Sequence, residues 1–177
     1  MADAQPAVFL DRDGTLIEDT GYLREASAIR ILPTVPAALQ RFERANYQRI
    51  VITNQSGVAR GLFPETTVTQ IGTALDRLLA TQGASLNGLY YCPHLESGCT
   101  CRKPLPGLIL RAAAEQHIDL TRSVMIGDRG SDIAAGHAAG IPGVLVTTGG
   151  RTYDGPKPDA IVPTLFDAAE WVLRHVS

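Results

Sequence analysis

The 177-residue sequence predicts an α/β fold, a mostly parallel sheet between layers of helices. Two observations carry that prediction. Short apolar runs alternate along the whole chain with segments of helical periodicity, the pattern left by strands joined through crossover helices. The runs are also near-continuously apolar rather than alternating, as strands buried on both faces should be.

The elements follow in order. "AVFL" (7–10) is the first strand, and residues 15–33 after it are too many for a tight βα turn and too few for a domain, so they read as a functional loop. Val35, Ala38, Leu39, Phe42 and Ala45 then recur at helical spacing after Thr34, an expected N-cap, with Pro36 in the first turn. "RIVIT" (49–53) is the second strand, and 54–64, punctuated by Gly57, Gly61 and Pro64, is a second loop. Val68, Ile71, Leu75, Leu78 and Leu79 mark a helix that ends before Gly83. "LYYC" (89–92), a helix over about 106–117, "SVMIG" (123–127) and a helix over 131–139 before Gly140 come next. "GVLVT" (143–147), "AIV" (160–162) and a helix over 165–176 behind Thr164 complete the chain. The result is a three-layer sandwich around a mostly parallel, Rossmann-like sheet. Neither loop is long enough to hold a large cap domain, and the length suits a single domain spanning 1–177.

Charge and composition narrow the function. Lys+Arg number 16 against Asp+Glu 18, a formal net charge of -2, and no run of like charges offers a footprint for nucleic acid or an anionic membrane. No segment approaches the apolar length of a membrane span, and "MADAQPAVFLDRDG" lacks the basic and apolar regions of a signal peptide, so the expected location is the cytoplasm. The three cysteines fall within ten residues of one another, which suits a metal or redox site better than a disulfide framework.

Open parallel sheets bind ligands in the crevice beyond the carboxyl ends of their strands, so the residues just after each strand are the ones to collect. They are Asp11 and Asp13, Thr53-Asn54-Gln55, Arg102-Lys103-Pro104, and Asp128 with Asp132. In an extended segment side chains two apart share a face, so Asp11 and Asp13 can point into one site. Carboxylates without sulfur or imidazole beside them favour a hard cation such as Mg2+. The Lys103 ammonium and the Thr53 hydroxyl suit a phosphate, and Gly14 and Gly127 let backbone approach closely. A cation, a phosphate and a spare carboxylate nucleophile describe phosphoryl transfer through an aspartyl-phosphate. Apart from these, "YYCPHLESGCTCRKP" offers Cys92, His94, Cys99 and Cys101, a complete tetrahedral set for structural Zn2+. With four protein ligands this zinc is not catalytic. Its expected task is to fix the loop 92–101, which leads into Arg102 and Lys103.

"DRDGT" after a strand, the strand-ending Thr53, the lysine of "RKP" and "GDRGSD" after a later strand together resemble the four motifs of the haloacid dehalogenase superfamily. "GYLRE", "TNQSGVARG" and "CPH" followed by "CTCRKP" resemble its heptose bisphosphate phosphatase branch, to which the histidinol-phosphate phosphatase domain is closely related. The resemblance implies that Asp11 is nucleophile and Mg2+ ligand. Asp13 would be the proton shuttle, its backbone carbonyl touching the metal, and Asp128 would complete the Mg2+ site. Thr53 and Lys103 would hold the phosphoryl oxygens, with Asn54 and Gln55 in the same phosphate-binding set. Asp132 would be a metal ligand or would orient Lys103. Arg60 and Arg102 are candidates to grip a second phosphate, since guanidinium meets phosphate bidentately. The implied reaction removes the 7-phosphate of a heptose 1,7-bisphosphate, with histidinol phosphate or another small sugar phosphate as the alternative, in a monomer. Two features depart from the branch: only four residues separate His94 from Cys99, nearer the histidinol type, and Arg129 follows Asp128 where lysine is expected.

Overall fold

The structure is a computed structural model that describes residues 4–95 and 98–176. Six strands form one sheet in the order β3-β2-β1-β4-β5-β6, and every pairing is parallel. In chain order the elements are β1 (Ala7–Leu10), α1 (Val35–Arg44), β2 (Gln48–Asn54), α2 (Glu65–Ala80), β3 (Gly88–Cys92) and α3 (Gly107–Gln116). β4 (Val124–Gly127), α4 (Gly130–Ala138), β5 (Gly143–Val146), β6 (Ala160–Val162) and α5 (Leu165–His175) follow. The strand order reverses between β1 and β4, which opens the ligand crevice at their carboxyl ends.

The pleat divides the core. Val8 and Leu10 of β1, Val51 of β2 and Ile126 of β4 face α1, α2 and α5, where they pack with Leu39, Phe42, Leu75 and Val172. Ala7, Phe9, Ile50, Ile52 and Met125 alternate onto the opposite face against Leu108, Ile109 and Ala112 of α3 and Ala135 of α4. Helices thus cover both faces, and no large cap domain stands over the sheet among the described residues. No helix of the described residues is long and apolar enough to cross a membrane.

Burial on both faces holds for β1, β4 and β5 and for the interior of β2, but not at the edges. β3 is only half-buried before Cys92, and β6 exposes Ile161, because each has a neighbour on one side only. Thr34 precedes α1, yet it adopts helical backbone angles and its side chain makes no cap hydrogen bond. Thr164 does cap α5, its Oγ1 accepting from the Asp167 N–H at 3.3 Å. α2 begins at Glu65, a turn earlier than its apolar spacing marks. The loop 15–33 is tied down by Leu16, Ile17, Leu23 and Ile29, all buried, and by the Leu32 N–H donating to the Leu16 carbonyl at 3.0 Å. It is a braced wall of the crevice.

Candidate active site

At the carboxyl ends of β1 and β2 a cavity of about 370 Å³ opens. Asp11, Asp13, Thr53, Asn54, Gln55, Arg102, Lys103 and Asp132 line it. Seven of these come from three segments that lie 40 to 90 residues apart in sequence; the parallel register of β1 and β2 brings two of them together, and hydrogen bonds between Asn54 and Lys103 hold the third against them. Asp19, Tyr22, Ser131, Arg129 and Arg151 add a rim.

Lys103 sits at the centre of the floor, 4% exposed. Its Nζ donates to Asp11 Oδ1 and to the Ile52 carbonyl, both at 2.7 Å, and lies 2.6 Å from Asp132 Oδ1. Burial alone would push this ammonium's pKa down. The charges of Asp11 and Asp132 more than offset burial and hold it above the usual lysine value. Its backbone is pinned by Asn54, whose Oδ1 accepts from the Lys103 N–H and whose Nδ2 donates to the Lys103 carbonyl, each at 3.0 Å. The Asn54 amide thereby helps to place Lys103, while the residue still lines the cavity and its Nδ2 keeps a second N–H. Gln55 is similarly turned inward: its Nε2 donates to Thr53 Oγ1 at 2.8 Å and to Asp13 Oδ2 at 3.2 Å.

Asp128 ends up behind the cavity wall. Both its carboxylate oxygens are buried without a hydrogen-bond partner. Burial, then the neighbouring charges of Asp11 and Asp132, push its pKa up to about 7. The carboxylate fits between two glycines: a side chain at Gly14, whose φ is +86, or at Gly149 would overlap Asp128 Oδ2. Carboxylate oxygens of Asp11, Asp128 and Asp132 lie within 4.8 Å of one another. Two partnerless oxygens facing further carboxylates suit an oxygen-ligated divalent cation, and these residues fit Mg2+. Asp132 is engaged otherwise, since its Oδ2 accepts from the Arg129 N–H at 3.0 Å at the start of α4. Burial, then Asp11, raises its pKa to about 6 against the pull of Lys103. The pKa of Asp13 is raised as well, chiefly by burial, with Arg12 opposing and Asp11 adding to the rise.

Beside this site Cys92, His94, Cys99 and Cys101 converge, with one donor atom of each within 4.8 Å of the others. His94 Nδ1 lies 3.4 Å from Cys92 Sγ and 3.3 Å from Cys101 Sγ. Burial, then Cys101, pushes the Cys92 thiol up to about 12, so a thiolate there needs a cation. The set fits a tetrahedral Zn2+. Glu96 and Ser97 of the expected zinc loop lie outside the described residues. Arg102 Nη1 donates to the His94 carbonyl at 3.1 Å, which ties this cluster to the cavity rim. Arg60 is placed outside the cavity, in an adjoining depression with Leu95, Cys99 and Arg102.

The sequence reading passes over Asp19 and Arg151. Asp19 Oδ2 accepts from Arg129 at 2.8 Å and from Arg151 at 2.5 Å, so one carboxylate of the loop after β1 gathers two guanidinium groups at the mouth. Arg151 follows β5 closely, and carrying the strand-end rule one strand further finds it. Asp19 has no such signal, because its partners come from other loops.

A parallel sheet with this carboxylate cluster and buried lysine at its switch point defines a class, an acid-rich phosphohydrolase. A HAD-hydrolase-like family model matches residues 100–168. The full chain is 39% identical to the D-glycero-beta-D-manno-heptose-1,7-bisphosphate 7-phosphatase of Escherichia coli K12, covering 93% of that protein. It is 44% identical, over 85% of its own length and 87% of the relative's, to the protein of the same name from Pasteurella multocida. Among solved structures, a D,D-heptose 1,7-bisphosphate phosphatase from B. bronchiseptica, complexed with magnesium and phosphate, superposes with a TM-score of 0.86 at 32% identity. The match covers 96% of this chain and 98% of that one. The Burkholderia thailandensis phosphatase of the same name superposes at 0.72 with 26% identity, covering 96% and 99%. The chain belongs to the HAD-like hydrolase family, and it is a phosphatase.

Proposed function

We propose that the chain removes the 7-phosphate of D-glycero-D-manno-heptose 1,7-bisphosphate by way of an aspartyl-phosphate on Asp11. The relatives' names supply the substrate. The observation that carries the mechanism is the meeting of Asp11, Asp13, Thr53 and Lys103 on one cavity with a partnerless Asp128 carboxylate behind it. When bound, Mg2+ would be held by Asp11, Asp128 and the Asp13 backbone carbonyl, and it supplies positive charge where the phosphoryl oxygens gather.

Asp11 attacks phosphorus. Asp13 gives its proton to the departing alkoxide, then takes one from the water that cleaves the acyl phosphate, which frees inorganic phosphate and regenerates Asp11. The raised pKa of Asp13 suits a group that must carry a proton at the first step. Lys103 and Thr53 hold phosphoryl oxygens, and Asp132 acts through Lys103, its Oδ1 forming an ion pair with the ammonium at 2.6 Å and its Oδ2 accepting from the Arg129 N–H. The phosphate that stays on the sugar meets the rim, where Arg102, Arg129 and Arg151 present three guanidinium groups. Zn2+ on Cys92, His94, Cys99 and Cys101 would keep the Arg102–Lys103 segment in place.

Turnover of heptose 1,7-bisphosphate, heptose 7-phosphate and histidinol phosphate with purified protein tests this. The bisphosphate should be preferred and Asp11→Asn should abolish all turnover. A preference for histidinol phosphate would replace the substrate, and an active Asp11→Asn would overturn the mechanism.

A further inference from the structure

We infer that Arg12 and Gln55 are positioning residues that fix the Asp13 carboxylate, an inference that rests on the shuttle role proposed for Asp13. Arg12 stands between the two aspartates in sequence, but its side chain is sealed inside the protein, 1% exposed. Its Nε lies 3.2 Å from both Asp13 oxygens and its Nη2 3.0 Å from both. Asp13 is the sole hydrogen-bond partner of this guanidinium among the described residues, and Arg12 Nη1 has none.

That arrangement is a poor way to stabilise a fold. A buried ion pair is commonly matched or bettered by apolar side chains of similar volume, and an orphaned buried donor adds a further cost. If Arg12 served only to fill space, an apolar side chain would do as well. What the guanidinium supplies, and an apolar group does not, is a pair of N–H donors on Nε and Nη2, each within hydrogen-bond distance of both Asp13 oxygens, so that the carboxylate is held from one side.

Gln55 adds the second restraint. It is 6% exposed, and its single amide nitrogen bridges Thr53 Oγ1 at 2.8 Å and Asp13 Oδ2 at 3.2 Å. The hydroxyl proposed to hold a phosphoryl oxygen and the carboxylate proposed to move the proton are therefore joined through one rigid group. Asp13 is half-open to the cavity, its side chain 16% exposed, and has the Arg129 and Arg151 guanidinium groups in the same cavity to turn toward. Asp13 must meet first a leaving oxygen and then a water at the same place. The two guanidinium donors and the amide bridge together keep it there through both steps, and a displacement of about 1 Å can cost roughly a hundredfold.

The experiment is a double-mutant cycle on the full-length protein with Mg2+, measuring kcat, KM and the inhibition constant of inorganic phosphate. The variants are Arg12→Met, Gln55→Leu and Asp13→Asn, singly and in pairs. Arg12→Met and Gln55→Leu should each lower kcat, Arg12→Met by about ten- to a hundredfold. Phosphate inhibition should stay within about twofold, and neither change should cost more than about twofold once Asp13 is Asn. A structural role would instead cost the same factor in both backgrounds and would weaken phosphate binding; either result overturns the inference. Should Arg12→Met fail to fold, Arg12→Lys keeps the charge without the paired Nε and Nη2 donors, and Gln55→Leu carries the same cycle from the other side. Full kcat in Asp13→Asn would instead overturn the proposed site itself.

Discussion

Replacing Lys103 with methionine strips the cation from a buried cluster, and the structure says what this costs. Lys103→Met keeps most of the side-chain volume. It removes the partner of Asp11 and Asp132 at 2.7 and 2.6 Å and leaves the Ile52 carbonyl without its donor. Breaking one side of a buried ion pair typically costs about 3–5 kcal/mol. For a domain of this size each kcal/mol moves Tm by roughly 2–4 °C, so the expected fall is about 6–20 °C near pH 8. The loss depends on pH in a definite direction. Asp132 already has its pKa raised to about 6 with Lys103 beside it, against 3.8 ordinarily, and losing the lysine raises it further. The folded variant therefore binds protons more tightly than the unfolded chain. Its deficit is greatest above the folded pKa and fades as pH falls toward the unfolded value. Thermal melts followed by far-UV circular dichroism, without added Mg2+, should show a clearly smaller deficit at about pH 5 than at about pH 8. Adding Asp132→Asn should restore part of the stability at the higher pH. A Tm unchanged by Lys103→Met, or a deficit equal at both pH values, would refute this account of the cluster.

Two further outcomes follow from the same geometry. Gly149→Ala would drive a methyl group into Asp128 Oδ2, so the midpoint of a Mg2+ titration, followed by Tm, should rise about 10- to 100-fold. An unchanged midpoint would remove Asp128 from the ligand set. Stripping zinc with a strong chelator, or Cys101→Ser, should lower Tm and turnover together, because the cluster anchors the segment that carries Arg102 and Lys103. Zinc-free protein with full activity would contradict that role.

The strand-end residues were legible because two local rules suffice to find them: apolar runs mark strands, and the residues after parallel strands face the crevice. Asp11, Asp13, Thr53 and Lys103 all come out that way, as does the Cys92–Cys101 cluster from its crowding. What a polar side chain does once there was not legible. Asn54 and Gln55 read only as phosphate contacts; that one also clamps the backbone of Lys103 and the other bridges Thr53 to Asp13 could not be read, because Lys103 and Asp13 lie in segments distant in sequence. Arg12 is the sharper case. It has no role in the sequence reading, and only the folded structure reveals that it is buried. Edge effects behave alike: "LYYC" reads as a strand like the central ones, but strand order, which no local pattern encodes, leaves it half-buried, with the Tyr90 and Tyr91 hydroxyls donating to Glu115 and Glu65.

Charge balance connects these residues into one device. Asp11, Asp13, Asp128 and Asp132 place four carboxylates at the site, and the cations sealed in with them are two, Arg12 and Lys103. The shortfall is two positive charges, the charge of one divalent ion. Part of it is met by protons, which is why burial and mutual repulsion lift Asp128 to about 7 and Asp132 to about 6. Neither Asp128 oxygen has a hydrogen-bond donor to relieve it. Above those pKa values a phosphate dianion approaching such a floor would be repelled unless a divalent cation took the place of the lost protons. The rim has the opposite character, since Arg102, Arg129 and Arg151 outnumber Asp19 there. The field along the cavity therefore draws an anionic ester in by its remote end. A divalent cation among Asp11, Asp128 and Asp132, such as the Mg2+ that HAD phosphatases generally use, would neutralise the floor and let the reacting phosphate approach.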